Sequence, residues 1–250
     1  MNRRHVLKTL AMSPLPLSLS ARAWAEEAAG SAGLITAAVC TLTPETTAGP
    51  YYYDPGLVRS DITEDREGVR LELSLQVVGA DCEPISGARV DVWHCDAQGN
   101  YSGYVSQGSD RTLDTSGQSF LRGIQQTDRD GVATFRTIYP GWYRGRTPHI
   151  HYIVYLDRQT VLTSQLFFDD TISDTIYGSV DSYSRGEPRN VTNRADGIAR
   201  RAGNGAYASV ARRADGLAAG LVVGVAAYGV QPIRHRAKPR KIVSVCATTP

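Results

Sequence analysis

His149 and His151 stand one residue apart in YPGWYRGRTPHIHY, the stretch that runs from Tyr139 to Tyr152. Residues i and i+2 of an extended strand face the same side, so this pair can bring two imidazoles to one point. That is what a transition metal asks of two ligands. A histidine pair on a solvated strand face is the plainer alternative. The scarcity of histidine favours the metal: of 5 in the chain, His5 lies near the N-terminus and His235 in a basic C-terminal stretch. Only His94, His149 and His151 remain, and two of these share a strand face just after Arg146 and Tyr143.

Imidazoles alone suit zinc, copper or iron. Tyrosine discriminates, because its phenol has a reference pKa near 10 and only a strongly Lewis-acidic ion holds it as phenolate at neutral pH. Ferric iron is such an ion. Two tyrosines stand out by position: Tyr101, just after a turn at Asp96–Gly99, and Tyr143, in a Pro-Gly-Trp-Tyr loop. Zinc chemistry fits less well, since no Cys-x-x-Cys or Cys/His zinc spacing occurs and no general-base carboxylate neighbours the histidines. His94, beside Trp93, reads as a structural strand residue.

The elements that must position these groups are β-strands. LELSLQVV alternates, with Leu71, Leu73, Leu75 and Val77 on one face. A turn follows, then ARVDVW (88–93), the turn at 96–99, another at 127–131, and the β-rich runs 132–138, 149–156 and 161–168. Short strands between turn signals predict an all-β, single-domain sandwich with long loops carrying the site, the longest over 105–119. Past Asp169 the pattern weakens: 172–183 and 195–202 read as irregular structure or short helix, and 217–225 as a late strand closing the core. No repeat or internal linker divides the chain.

The 250 residues suffice for one domain with a substantial core. Asn2-Arg3-Arg4-His5-Val6-Leu7-Lys8 precedes a short apolar run and an Ala-x-Ala site at 23–25, which resembles a twin-arginine (Tat) export leader over 1–25. The expected divisions are then a linker over 26–39, the domain over 40–230 and a basic disordered tail over 231–250. Removing the leader lowers the formal net charge from +2 to about −2, with the positive charge concentrated in that tail. An acidic body with a separate basic tail is not a nucleic-acid footprint. The expected location is periplasmic or secreted, where disulfides form. Of the 4 cysteines, Cys82 and Cys95 form the preferred pair because their flanking segments read as neighbouring strands, which leaves Cys40 and Cys246 without assigned partners.

Four segments in order carry a family resemblance. They are Thr43-Pro44-Glu45 through Gly49-Pro50-Tyr51-Tyr52, the strand and turn from Val90 to Tyr101, the pattern Tyr143-x-x-Arg146-x-x-His149-x-His151, and Leu162-Thr163-Ser164-Gln165-Leu166-Phe167-Phe168. Together they resemble the intradiol ring-cleavage dioxygenases, the family of catechol, hydroxyquinol and protocatechuate dioxygenases. The resemblance implies a β-sandwich holding one non-haem Fe(III) through Tyr101, Tyr143, His149 and His151. Tyr143 would be the ligand displaced by substrate and then a base, and Tyr101 the retained ligand. Arg146 would lie over the substrate ring with Gln165 close by, and Tyr51 and Tyr52 would either line the pocket or pack over the sandwich edge.

The implied reaction inserts both atoms of O2 between the hydroxyl-bearing carbons of a catechol and yields a cis,cis-muconate-type diacid. Expected partners are that small molecule, O2 and the twin-arginine export machinery, with no nucleic acid and no membrane span. Family members acting on catechol carry a long helical N-terminal dimerisation region that has no counterpart before Thr43, which leaves substrate and homodimer mode open. The competing reading is a transthyretin-like sandwich acting as a binding or spacer module. Such modules share the turn patterns at 88–101 and 127–131 but have no use for Arg-x-x-His-x-His.

Overall fold

The computed structural model describes residues 41–226, so the leader, the segment 26–39, Cys40, Cys246 and the basic tail lie outside the described residues. Eight strands form two four-stranded sheets. The first places β1 (Arg70–Val78) between β4 (Val132–Ile138) and β8 (Gly216–Gly224), with β7 (Ser209–Arg213) at the far edge. The second runs in the order β3 (Arg122–Gln126), β2 (Arg89–Trp93), β5 (His149–Leu156), β6 (Gln159–Phe167). Neighbours are antiparallel except β1 and β8, which pair in parallel from Leu71↔Leu217 to Val78↔Gly224. Helices α1 (Asp170–Ser179) and α2 (Gly197–Ala202) follow β6.

The alternation in β1 has the expected result: Leu71, Leu73, Leu75 and Val77 are fully buried. They meet Phe135 of β4 and, from the opposing sheet, Val90, Val92, Ile150, Tyr152 and Val154. Each buried aliphatic side chain contributes roughly 1.5–3 kcal/mol, so this layer is a large contributor to the fold's stability.

The second sheet is buried on both faces. Its inner face joins the core, while its outer face carries Trp93, Arg122, His149, His151 and Gln165, all buried as well. The cover is the N-terminal segment, which is tied to the β6 edge by Thr46 N–H to Thr163 O at 2.9 Å. It reaches the β3 edge by Arg59 N–H to Ile124 O at 3.0 Å. Ala48, Tyr51 and Tyr52 pack beneath it with Trp93, Cys95 and Tyr101 into a second cluster. A sandwich face that would ordinarily meet solvent is thereby turned into a dry, polar interior.

Contrary to the expected pairing, Cys82 and Cys95 are not bonded to each other: Cys95 is a free, buried thiol lying 3.5 Å from the carbonyl of Gly141, and Cys82 is disulfide-bonded elsewhere. The reason is topological. β1 and β2 belong to different sheets, and Cys82 precedes β2 while Cys95 follows it, so the two lie at opposite ends of that strand.

Candidate metal centre

Strand register brings the site together. Trp93 is opposite both Arg122 and His151, and His151 is opposite Gln165, so one row of outward side chains crosses all four strands of the second sheet. His149, two residues back along β5, projects from the same face, as the spacing requires. The indole of Trp93 stacks on His151, with centroids 4.8 Å apart and planes 9° apart, and fixes the imidazole plane.

The tyrosines come from two loops that touch without side chains between them. Gly141 N–H donates to Asp96 O at 3.0 Å, and a Cβ on Gly141 would run into the carbonyls of Asp96 and Ala97. Gly99 has φ +86°, and a Cβ there would strike the carbonyl of Trp142. Glycine at both positions lets the turn before Tyr101 close on the loop before Tyr143. Tyr101 is buried, with Tyr51 stacked on it at 4.6 Å, whereas Tyr143 is only partly buried.

All four groups converge. The Nδ1–H of His149 donates to Thr147 O at 2.7 Å, which leaves Nε2 as the lone-pair nitrogen. That atom lies 3.1 Å from His151 Nε2, 3.2 Å from Tyr143 Oη and 3.4 Å from Tyr101 Oη. One lone pair cannot serve three neighbours. Donors each bound at about 2.1 Å to one ion stand roughly 3 Å apart, so the residues fit a shared cation.

Burial sets the charge states in the same sense. It pushes the Tyr143 phenol up to about 12 and Tyr101 well above its ordinary value. It pulls His149 down to about 3, helped by Arg146, and His151 well below its usual range, helped by His149. The imidazoles are therefore neutral at physiological pH, and the phenols need a cation to lose their protons. Among the described residues no three His, Cys, Asp or Glu side chains gather at metal-binding distance, and the further donor atoms beside the two imidazoles are the phenol oxygens of Tyr101 and Tyr143.

Arg146 closes the site. Its Nη1 lies 3.4 Å from His149 Nε2, its Nη2 donates to Gln165 Oε1 at 2.6 Å, and its Nε donates to Asp196 Oδ2 at 2.8 Å. Gln165 is fully buried, and its Nε2 donates to Thr47 O at 2.8 Å, so both ends hold protein groups. Tyr51 faces the cluster. Tyr52 does not bring its hydroxyl there: it donates to Asp91 Oδ2 at 2.9 Å and meets Tyr155 Oη at 2.8 Å, while its ring packs on Trp93. His94 is buried and structural, with Nδ1–H donating to Cys95 O at 2.8 Å and Nε2 accepting from Thr137 Oγ1 at 2.7 Å. Sequence reasoning missed Asp196, Trp93 and Arg122. The only available signal for Trp93 was its even spacing on β2, and none distinguished Asp196 from an ordinary helix cap.

The fold and site define a β-sandwich that gathers two phenols and two imidazoles on a covered sheet face. A family model described as dioxygenase matches residues 47–196. An intradiol ring-cleavage dioxygenase from Tetranychus urticae has a similar structure (TM-score 0.68), at 34% identity over 75% of this chain and 95% of that one. The dioxygenase domain of a dioxygenase–carbohydrate-binding fusion from Streptomyces sp. SirexAA-E gives a TM-score of 0.54 and 29% identity, covering 75% of this chain and all of that one (100%). Catechol 1,2-dioxygenase 1 of Acinetobacter lwoffii is 30% identical over 146 residues, 49% of this chain and 45% of that protein. The chain spans about half the length of the curated relatives it matches. It belongs to the intradiol ring-cleavage dioxygenase family.

Proposed function

We propose that this protein cleaves a catechol-type ring between its two hydroxyl-bearing carbons with O2, through one Fe(III) held by Tyr101, Tyr143, His149 and His151. The observation that carries the reading is the convergence of two phenol oxygens and a second imidazole on one lone-pair nitrogen, at 3.1–3.4 Å. When bound, a ferric ion supplies a Lewis-acid template that draws electron density from a chelated catecholate and opens its ring to O2.

The chain's own residues divide the remaining work. Tyr143 is the less buried of the two phenols, so it is the one that would give way to substrate. Its Oη then accepts a proton from a substrate hydroxyl. Tyr101, pinned under Tyr51, stays in place. Arg146 directs a permanent positive charge at the centre and stabilises negative charge developing on the ring. Gln165 fixes Arg146 rather than meeting substrate. The covered sheet face excludes water, which strengthens each of these interactions.

The formula balances as catechol plus O2 giving the muconate-type diacid. Supplied with 18O2 and catechol, hydroxyquinol or a chlorocatechol, the iron-loaded protein is expected to place both labelled atoms in a ring-opened diacid. Arg146→Ala should keep the iron and lose at least about 100-fold in turnover. Label in only one product oxygen, or full turnover by that variant, contradicts the mechanism. Export is part of the same reading, and the disulfide at Cys82 accords with an oxidising compartment.

A further inference from the structure

We propose that Asp196 is a positioning residue that sets Arg146 against the metal centre, acting apart from the ligand set. The inference rests on the reading of Arg146 as the substrate-facing cation. Asp196 is 50 residues away in sequence, and its side chain is only 1% exposed. Its Oδ2 accepts from Arg146 Nε at 2.8 Å and from Thr147 N–H at 3.0 Å. Its Oδ1 accepts from Ile198 N–H at 2.8 Å and Ala199 N–H at 3.2 Å, capping α2. Four N–H donors thus hold one buried carboxylate in a single orientation.

The consequence for Arg146 is geometric. Asp196 takes Nε and Gln165 takes Nη2, so two of the three guanidinium nitrogens are held and Nη1 is left directed at the centre. The planar guanidinium transmits that constraint without slack. Neighbouring contacts follow the same plan. Arg185 bonds and stacks on Trp142, Glu187 pairs with Arg144, Asn190 holds Gly145 and Asn193 holds Thr147. Among the described residues no bond from 185–196 reaches Tyr143. The segment therefore grips the residues around Tyr143, Arg146 among them, without bonding that phenol itself.

The test uses the full chain as wild type, Asp196→Asn, Arg146→Gln and the double variant. Anaerobic titration of iron-loaded protein with 4-nitrocatechol reads affinity by absorption. Asp196→Asn should weaken binding about tenfold, yet add less than about twofold once Arg146 is Gln, because the two changes act through one group. Equal weakening in both backgrounds overturns the proposal. Phenylglyoxal modification of Arg146 in metal-free protein, mapped by mass spectrometry, reads placement without any catechol. It should be at least about fivefold faster in Asp196→Asn, and an unchanged rate overturns the proposal. If wild-type protein binds no catechol, the proposed function fails while the phenylglyoxal rates still decide the positioning. Should Asp196→Asn not fold, Asp196→Glu keeps the charge and shifts the carboxylate by one methylene. It is held to the same two criteria.

Discussion

Tyr51 and Tyr52 are neighbours in sequence with opposite duties. Tyr51 stacks on Tyr101 of the candidate metal centre, while the Tyr52 hydroxyl is bound to Asp91 and Tyr155 at the far side of the cluster. Tyr52→Phe should therefore lower unfolding free energy by about 1–2 kcal/mol through the lost hydrogen bonds, and leave turnover within about threefold. Unchanged stability with lost turnover would return Tyr52 to the substrate pocket. The convergence of the candidate site was legible because strand periodicity decides where His149 and His151 point, and because Tyr101 and Tyr143 stand before them in the chain's turns and loops. Asp196 was illegible. A helix-capping aspartate looks the same in sequence whether or not an arginine 50 residues away reaches it.

Among the elements, β1 was readable because one face meets the core and the other meets solvent. β5 was readable as a strand, but its burial on both faces was not, since that depends on the N-terminal segment crossing above it. The parallel pairing of β1 with β8 was also hidden, because partners so distant in sequence leave no local pattern, and β7, although joined to β8 by a tight hairpin, is a short, largely exposed edge strand without apolar alternation. The disulfide expectation failed because strands adjacent in sequence entered different sheets. His94 ties those sheets together through Thr137 of β4, and burial lowers its pKa from 6.5 to about 4. The unfolded chain binds that proton first, so stability is complete above pH 6.5 and is lost as pH falls towards 4. The loss is on the order of 3 kcal/mol. Urea unfolding of wild type and His94→Gln should show a steeper decline in the wild type across this window. Parallel declines would remove His94 as the source.

For the whole molecule, a sandwich core supplies rigidity while the covered outer face of one sheet supplies chemistry. No helix among the described residues is long and apolar enough to cross a membrane. Two phenols and two imidazoles are proposed to hold one trivalent ion jointly, and titration of metal-free protein with Fe(III) decides it. One equivalent should bind with a visible tyrosinate-to-iron charge-transfer band, shifted in Tyr143→Phe and abolished in His149→Ala. A protein that binds no ferric ion, or binds it without colour, would contradict it.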